Sequence, residues 1–310
     1  MTRFVIRRLI QSCFLLLGIT LITFVITRLA PGGPETMLED PNIRPEYLEQ
    51  LRRDYGLDQP VLVQYGRWVA NLLQLDFGRS FADNRPVIDK IVERVPATLQ
   101  LSGAGFLLGL LGIPLGVAAA LHRGRGIDNG VRVFTVVGQA IPHWWLGLMI
   151  LIFTAPLGLF PLSGMGPPGA GLLERLHHLL LPAVISSMSG WIVYSRYMRS
   201  EMLEVLQQDY VRTARAKGLP ERRGTLHAVR NALLPVITVL GGSLAGFFSG
   251  SVLLETVFSW PGMGRLAVEA AFERDYPTVM GLTVLFSFLV IIGNLLADIA
   301  YAYVDPRVRY

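Results

Sequence analysis

Residues that could perform chemistry are sparse in this sequence, and they do not form the spacings that enzymes use. The two lysines, Lys90 and Lys217, both stand outside any GxxxxGK[ST] run. The chain therefore has no P-loop with which to bind ATP in that manner. The zinc-protease motif HExxH is also absent. The histidines are His122, His143, His177, His178 and His227.

Among these histidines only His177 and His178 are close enough in sequence to act together on a metal. Adjacent residues of a helix point to different faces, so the pair makes a weak metal site, and we expect no metal in this chain. An intramembrane serine protease would need a histidine at the depth of Ser243, yet the histidines fall in loops or at the ends of apolar segments. An aspartyl protease would need two buried aspartates, and Asp298 is the only clear candidate. The sequence therefore does not predict an enzyme.

The most distinctive charged stretch runs from Met198 to Pro235, with a long apolar segment on each side. It holds seven of the 28 Lys and Arg residues of the chain, namely Arg199, Arg212, Arg215, Lys217, Arg222, Arg223 and Arg230. Cationic segments between membrane spans remain in the cytoplasm. We therefore predict that this stretch is a cytoplasmic loop.

Helical periodicity appears inside that loop. Leu203, Leu206, Tyr210 and Ala214 recur at helical spacing, and Gly218 follows as a stop signal together with Pro220. We interpret this part as a short amphipathic helix that is tethered to the membrane at both ends. Such a helix suits docking into a groove on another protein.

The composition places the chain among membrane proteins. Its 310 residues are only 16% charged, and the mean hydropathy is +0.45. Both values indicate several membrane helices. The pI near 9.5 invites a nucleic-acid interpretation, which we reject because the cations lie in short loops between apolar spans. The single cysteine, Cys13, excludes a disulfide within one chain.

Six apolar segments have the length of a membrane span. They cover about Leu9–Leu29, Leu99–Leu121, Val133–Ala155, Leu179–Tyr197, Leu234–Phe258 and Thr278–Tyr303. If both termini are cytoplasmic, sixteen Lys and Arg residues fall in the short inner segments and three in the short outer loops. This asymmetry predicts six helices with both ends inside. Pro142 should weaken the hydrogen bonding of the third span.

Residues 1–30 are expected to form the N-terminus and an uncleaved first helix, because the apolar segment is longer than that of a signal peptide. Residues 31–98 are polar and mixed in charge, and they predict a small external helical subdomain. Within it, Pro45–Leu51 and Pro60–Leu75 have helical patterns. Residues 99–310 would then form the core membrane domain with the other five spans, including the loop 198–235.

Glycines recur at spacings of four in two predicted spans. Gly105, Gly109, Gly112 and Gly116 occur in the second span and should let helix backbones approach closely. The fifth span contains Gly242, Ser243, Gly246, Ser249 and Gly250. This second group favours tight helix packing or a pore-lining face, and both uses are possible on different arcs of one helix. For Asp298 we favour a structural polar contact over a substrate or proton site.

Several stretches resemble the dipeptide and oligopeptide permeases of ATP-binding-cassette importers. The run from Asp209 to Gly218, with Leu234-Pro235 downstream, is similar to their EAA loop. Arg212, Thr213 and Ala214 stand at the positions of Glu-Ala-Ala, and Gly218 is in place. The Glu of the general pattern is thus replaced by arginine. The remaining matching segments are Tyr55–Pro60, Asp76–Ser80, Ser259–Arg265 and Asp275–Pro277.

The resemblance implies a type I importer permease fold and three functional regions. ATPase-subunit coupling would fall to Leu206, Tyr210, Arg212, Thr213, Ala214, Ala216, Lys217 and Gly218. The translocation path or helix packing would involve Gly242, Ser243, Gly246, Ser249 and Gly250. An external gate loop would contain Trp260, Pro261, Gly262 and Asp275. Movement of the docked helix should carry the fourth and fifth spans with it and alternate access to the path.

The same resemblance implies a set of partners in a bacterial or archaeal cytoplasmic membrane. These are a second permease subunit, most often a different chain, two cytoplasmic ATP-binding subunits and an external solute-binding protein. ATP and magnesium would be bound by the partner subunits, so no cofactor is expected in this chain. The expected cargo is a peptide or a relative such as a nickel chelate or glutathione. The alternatives are an ion-coupled secondary transporter, which would need charged or broken-helix sites near midplane, and a membrane scaffold without transport.

Overall fold

The computed structural model describes residues 2–29, 59–218, 220–249 and 251–304. Within these ranges the chain is helical, and its only β-type pairing is an isolated bridge between Arg79 and Pro86. The α-helices are α1 (Thr2–Leu29), α2 (Val61–Leu73), α3 (Val87–Gly109), α4 (Gly112–Leu121), α5 (Gly126–Ala140), α6 (His143–Thr154), α7 (Leu172–Val205), α8 (Asp209–Ala216), α9 (Glu221–Ser249), α10 (Val252–Val257), α11 (Met263–Phe272) and α12 (Tyr276–Val304). A short 3-10 helix, Ala155–Leu157, follows α6.

The all-helical class is confirmed, and α2 confirms the helix expected near Pro60–Leu75. The expected helix at Pro45–Leu51 lies outside the described residues. The chain divides into two compact units. One comprises Met1–Pro96 with Gly262–Ile291, and the other comprises Ala97–Pro261 with Ile292–Arg309.

Within the described residues, four helical stretches are long and apolar enough to cross a membrane. They are Ile6–Leu29, Val87–Leu121, Leu172–Val205 and Tyr276–Leu296. The pair Gly126–Ala140 and His143–Leu157 adds a fifth candidate that is bent by 95°. A multi-pass helical membrane protein is thus confirmed, whereas the count of six spans stays a prediction.

The third span, predicted over roughly Val133–Ala155, is broken into two helices in the structure. Helix α5 ends at Ala140, and α6 begins at His143. Proline has no N–H to continue the helix, and it disfavours a helical conformation in the residue before it. Ile141 is accordingly extended, with φ −101° and ψ 124°. Pro142 therefore breaks this segment rather than weakening it.

The fifth span, predicted over about Leu234–Phe258, is likewise divided between two helices. Helix α9 begins earlier, at Glu221, and ends at Ser249. Ser251 is extended, with φ −119° and ψ 99°, and its side chain accepts a hydrogen bond from the backbone N–H of Leu254. Because serine at this position caps a new helix, the chain restarts as the short α10.

Close packing of α3 and α4 against α7 confirms the prediction made for the first glycine series. A Cβ on Gly116 would lie 2.5 Å from the Ser195 carbonyl oxygen, and one on Gly112 would lie 2.8 Å from the Gly190 oxygen. Only glycine allows backbones to come this near. In α4, Pro114 cannot donate a hydrogen bond to the preceding turn, and α3 and α4 are separated at Leu110 and Leu111, four and three residues before it.

A hydrophobic cluster joins α4, α7 and α9 near the 198–235 stretch. Its fully buried members include Met198 and Met202 of α7 and Ala228 and Ala232 of α9. Ala120 of α4 is also buried in this cluster. The two long helices that flank the cationic loop are therefore packed together at its base.

In the unit formed by Met1–Pro96 and Gly262–Ile291, a second cluster joins α3, α11 and α12 with the loop before α3. Its buried members are Phe77, Val87, Ile91, Met263, Leu266 and Leu282. Gly281 of α12 is tightly packed, since a Cβ there would lie 3.0 Å from the Val87 side chain and 3.1 Å from that of Phe77. Burial of these apolar groups holds the loop 76–86 against the helices of its own unit.

Candidate functional site

The first part of the cationic loop folds as two helices separated by a turn rather than as one amphipathic helix. Helix α7 ends at Val205, Leu206–Gln208 form a turn, and α8 covers Asp209–Ala216. The prediction that Leu203, Leu206, Tyr210 and Ala214 share one helix face is therefore wrong. The backbone N–H groups of Gln207 and Gln208 donate to carbonyls three residues back. These tighter hydrogen bonds end α7 before α8 starts.

Gly218 ends this segment as predicted. Its φ is +78°, in the left-handed region where glycine has no steric penalty. Nothing lies within 4 Å of a Cβ built on Gly218, so the requirement for glycine comes from the backbone and not from crowding. Helix α9 then begins at Glu221.

The outward side of α8 is uncovered in the single chain. Asp209, Arg212, Thr213, Ala216 and Lys217 are all exposed. The Asp209 and Arg212 side chains are 98% and 75% exposed and 4.0 Å apart, so their attraction contributes little to stability. A short helix with a free polar face and a cationic end is suited to contact with another protein.

The inward side of α8 is held to its neighbours through Tyr210, which the sequence pattern singled out, and through Val211 and Asn231, which it did not. Val211 is only 2% exposed. Asn231 of α9 donates a hydrogen bond from Nδ2 to the Tyr210 hydroxyl at 2.6 Å. Tyr210 itself remains 40% exposed, and Leu206 packs against the cluster at the base of the loop. Force on α8 therefore reaches α9 through direct contacts.

A buried ion pair braces α7 near the start of the loop. Asp128 of α5 is 1% exposed and accepts hydrogen bonds from Arg199 Nε at 2.5 Å and Nη2 at 2.9 Å. It also accepts one from the backbone N–H of Gly124 at 2.9 Å. From the sequence, Arg199 is predicted only as a loop cation, and no local pattern marks Asp128 as its partner.

A cavity of about 460 Å³ lies among α3, α6, α7 and the region where α9 gives way to α10. This volume falls within the roughly 300–1,000 Å³ of small-molecule sites. Its polar lining comprises Ser102, His143, Ser186, Ser189, Tyr194, Ser243 and Ser251. Its apolar lining includes Phe106, Trp144, Ile185, Leu253 and Leu254.

The glycine and serine series of the predicted fifth span is only partly described. Ser243 lines the cavity and donates to the carbonyl of Val239 at 3.1 Å. Gly242 is exposed, with nothing within 4 Å of a Cβ built on it. Gly250 lies outside the described residues, and so do the surroundings of Gly246 and Ser249. The same holds for the surroundings of Ala214 and Asp298 in other helices.

Two family models match nearly the whole chain. Residues 1–102 match the N-terminal model of binding-protein-dependent transport system membrane components, and residues 112–310 match the binding-protein-dependent transport system inner membrane component. The chain belongs to this family. It is therefore a multi-pass membrane component of a transport system, and the resemblance noted from the EAA-type loop is confirmed.

Relatives named as permeases match this membrane component from end to end. The oligopeptide transport system permease protein AppB of Bacillus subtilis (strain 168) is 45% identical over the full length of both chains. The di/tripeptide transport system permease protein DppB of Pseudomonas aeruginosa (strain UCBPP-PA14) is 39% identical over 100% of this chain and 99% of its own. The probable D,D-dipeptide transport system permease protein DdpB of Escherichia coli (strain K12) is 40% identical over 94% and 93% of the two chains.

Asp275, expected in an external gate loop of this membrane component, is a buried hydrogen-bond centre. It is 0% exposed and accepts from Ser80 Oγ at 2.5 Å, Phe81 N at 2.9 Å and Thr278 Oγ1 at 2.6 Å. The Lys90 ammonium lies 3.3 Å from the same carboxylate. These contacts tie the loop 76–86 to the start of α12, which is a structural task.

Lys90 also pairs with Asp83 in this network, at 3.2 Å. Partial burial acts to raise the pKa of Asp83, but hydrogen bonds from Ser80 and from the Arg85 backbone oppose it, as does the Lys90 ammonium. The net result is a lowered pKa, so Asp83 stays ionised beside Lys90.

Trp260, the other large residue of the predicted gate, is 1% exposed and donates from Nε1 to the Ala97 carbonyl at 2.7 Å. Pro261 is half-buried, and Gly262 is buried as the residue that precedes α11. Nearby, Thr98 donates to the Glu255 carboxylate at 2.9 Å, and Glu255 is 0% exposed. No local sequence pattern marks Glu255 as a buried residue. A gating role for these residues stays a prediction.

Proposed function

We propose that this chain is one of two permease subunits of an ATP-binding-cassette importer and that it forms part of the translocation path for peptides. The observation that carries the proposal is the full-length similarity to relatives whose names specify oligopeptide, di/tripeptide and D,D-dipeptide transport. An external solute-binding protein delivers the peptide. Two cytoplasmic ATP-binding subunits bind and hydrolyse ATP with magnesium, and the second permease is a different chain.

Helix α8 is the contact with an ATP-binding subunit in this proposal. Its exposed polar side is available for docking, whereas Val211 and the Tyr210–Asn231 hydrogen bond attach its other side to the chain. At the base, Met198 and Met202 pack with Ala228 and Ala232. When ATP binding moves α8, α7 and α9 move with it and alternate the access to the path.

The topology has six spans with both termini in the cytoplasm. The four long candidates, the bent pair α5–α6 and helix α9 make up the six. The excess of Arg and Lys in the segments assigned to the inside supports this orientation. Residues 31–98 then form the external subdomain.

The proposal is tested by purifying the tagged chain in a gentle detergent and identifying the associated proteins by mass spectrometry. We expect two ATP-binding subunits and a second permease. The complex, reconstituted in vesicles with the binding protein, should take up a labelled peptide only when ATP is supplied on the cytoplasmic side. A chain that purifies alone and moves solute under an ion gradient would contradict the proposal and favour a secondary transporter.

A further inference from the structure

We propose that the cavity among α3, α6, α7 and the α9–α10 junction binds the main chain of the transported peptide through uncharged hydrogen-bonding groups. The inference rests on the proposed peptide-import function. It adds which residues hold the cargo and which part of the cargo they contact. The residues assigned to this contact are Ser102, Ser186 and Tyr194, with His143 at the wall.

The hydroxyls of Ser102, Ser186 and Tyr194 line the cavity without hydrogen-bonding to any described residue. Tyr194 is only 4% exposed, and the little surface that it retains includes its hydroxyl. Buried hydroxyls normally have partners, and helical serines commonly use a carbonyl of the preceding turn. Ser187 and Ser195 of the same helix follow that rule, with bonds to Val184 and Ile192.

The His143 ring forms part of the same wall. Its Nδ1 is 3.0 Å from the Ser189 hydroxyl. Its Nε2 is buried and lacks a hydrogen-bond partner among the described residues. The break at Pro142 starts α6 at His143 and so places the ring beside α7. The hydroxyls of Ser102, Ser186 and Tyr194, on two helices, thus retain hydrogen-bonding capacity around one space, beside the His143 ring.

The lining specifies the chemistry of the ligand. Among the described residues that line the cavity there is no Asp, Glu, Lys or Arg. A terminal carboxylate or a charged side chain would find no countercharge there, and desolvating it would be costly. A main-chain amide offers one donor and one acceptor, and each hydroxyl can serve either. The apolar groups Phe106, Trp144 and Ile185 can contact side chains without selecting their charge.

The first test removes single hydroxyls and compares three labelled peptides of equal length with acidic, neutral and basic side chains. In the reconstituted complex, Tyr194→Phe and Ser186→Ala should each lower ATP-driven uptake by roughly two- to ten-fold, the range of one uncharged hydrogen bond. The factor should be the same for all three peptides. Tyr197→Phe is the matched control, because Tyr197 lies on the same helix, is 43% exposed and does not line the cavity.

The second test places a charge in the neutral cavity. Ser102→Asp should reduce uptake of the acidic peptide at least about ten-fold relative to the basic one, because like charges in a poorly solvated space repel strongly. Equal effects on acidic and basic peptides, together with normal uptake by Tyr194→Phe and Ser186→Ala, would overturn the assignment of the cavity.

A third measurement does not depend on the transport rate of a variant. Cys13 is the only cysteine, so Cys13→Ser provides a background in which Ser186→Cys is the single thiol. Excess transported peptide should slow modification of that thiol by a small methanethiosulfonate reagent. If excess peptide leaves the rate of thiol modification unchanged while the wild-type complex imports peptide, this inference is overturned and the proposed function is not. Failure of the wild-type complex to import any peptide would overturn the proposed function as well.

Discussion

The guanidinium of Arg199 forms two parallel hydrogen bonds with the carboxylate of Asp128, although the residues lie 71 positions apart in the chain. The pair joins the start of α5 to α7 close to the loop that carries α8. Such a forked arrangement restrains both distance and orientation. It therefore holds α7 in a defined position relative to α5 while α8 remains free to contact a partner.

Removing Arg199 should destabilise the protein markedly because Asp128 is left as a buried, unpaired carboxylate. Arg199→Ala should cost roughly 2–3 kcal/mol, below the usual cost for a fully buried pair because the Arg199 side chain is 23% exposed. Thermal unfolding in detergent measures the loss. The double variant Asp128→Asn with Arg199→Gln should recover part of it, and a double variant less stable than Arg199→Ala would contradict a pairwise interaction.

Gly116 and Gly242 should respond oppositely to the same substitution. Gly116→Ala places a Cβ 2.5 Å from the Ser195 oxygen and should lower the unfolding temperature, since two helix backbones must separate. Gly242→Ala meets nothing within 4 Å and should leave the isolated subunit as stable or slightly more so. A thermal melt of each purified variant decides the matter, with Gly130→Ala as a second open-space control.

Gly218 should be required for coupling because of its backbone conformation. Gly218→Val forces a β-branched residue to φ +78° at a cost of about 1–2 kcal/mol, which the segment can relieve by moving α8. We expect an assembled complex whose ATPase activity persists while peptide uptake falls. Gly218→Asn is the matched control, because asparagine tolerates the left-handed region. Equal uptake per ATP in both variants would contradict the assigned role.

Asp275 should behave as a structural residue rather than as a gate. Asp275→Ala leaves the donors Ser80, Phe81 and Thr278 without their acceptor and should expose the loop 76–86 to proteolysis. Asp275→Asn retains one acceptor oxygen and should show an intermediate effect. If both variants keep wild-type protease resistance and lose transport only, a gating role is favoured instead.

Much of the architecture was accessible from sequence because it depends on local properties. Apolar length and the distribution of arginine predict membrane helices, and the left-handed preference of glycine predicts the end of α8 at Gly218. The run Asp209–Gly218 was sufficient to indicate the family, which the comparison confirmed. The absence of a P-loop likewise follows from the sequence alone.

Tertiary packing decided the features that depend on residues far apart in the chain. Two similar glycine series occur in the sequence, and the structure shows that Gly116 of the first meets a helix within the subunit, whereas Gly242 of the second has nothing within 4 Å of a Cβ built on it. Local periodicity predicted that Leu206 and Tyr210 lie on one helix. In the structure a turn separates two helices, and Val205 on the first and Val211 on the second are both buried. No local pattern encodes the pairing of Asp128 with Arg199. The same is true of the cavity that groups Ser102, Ser186 and Tyr194. Both depend on helix positions that arise only when distant segments pack together and exclude lipid and water.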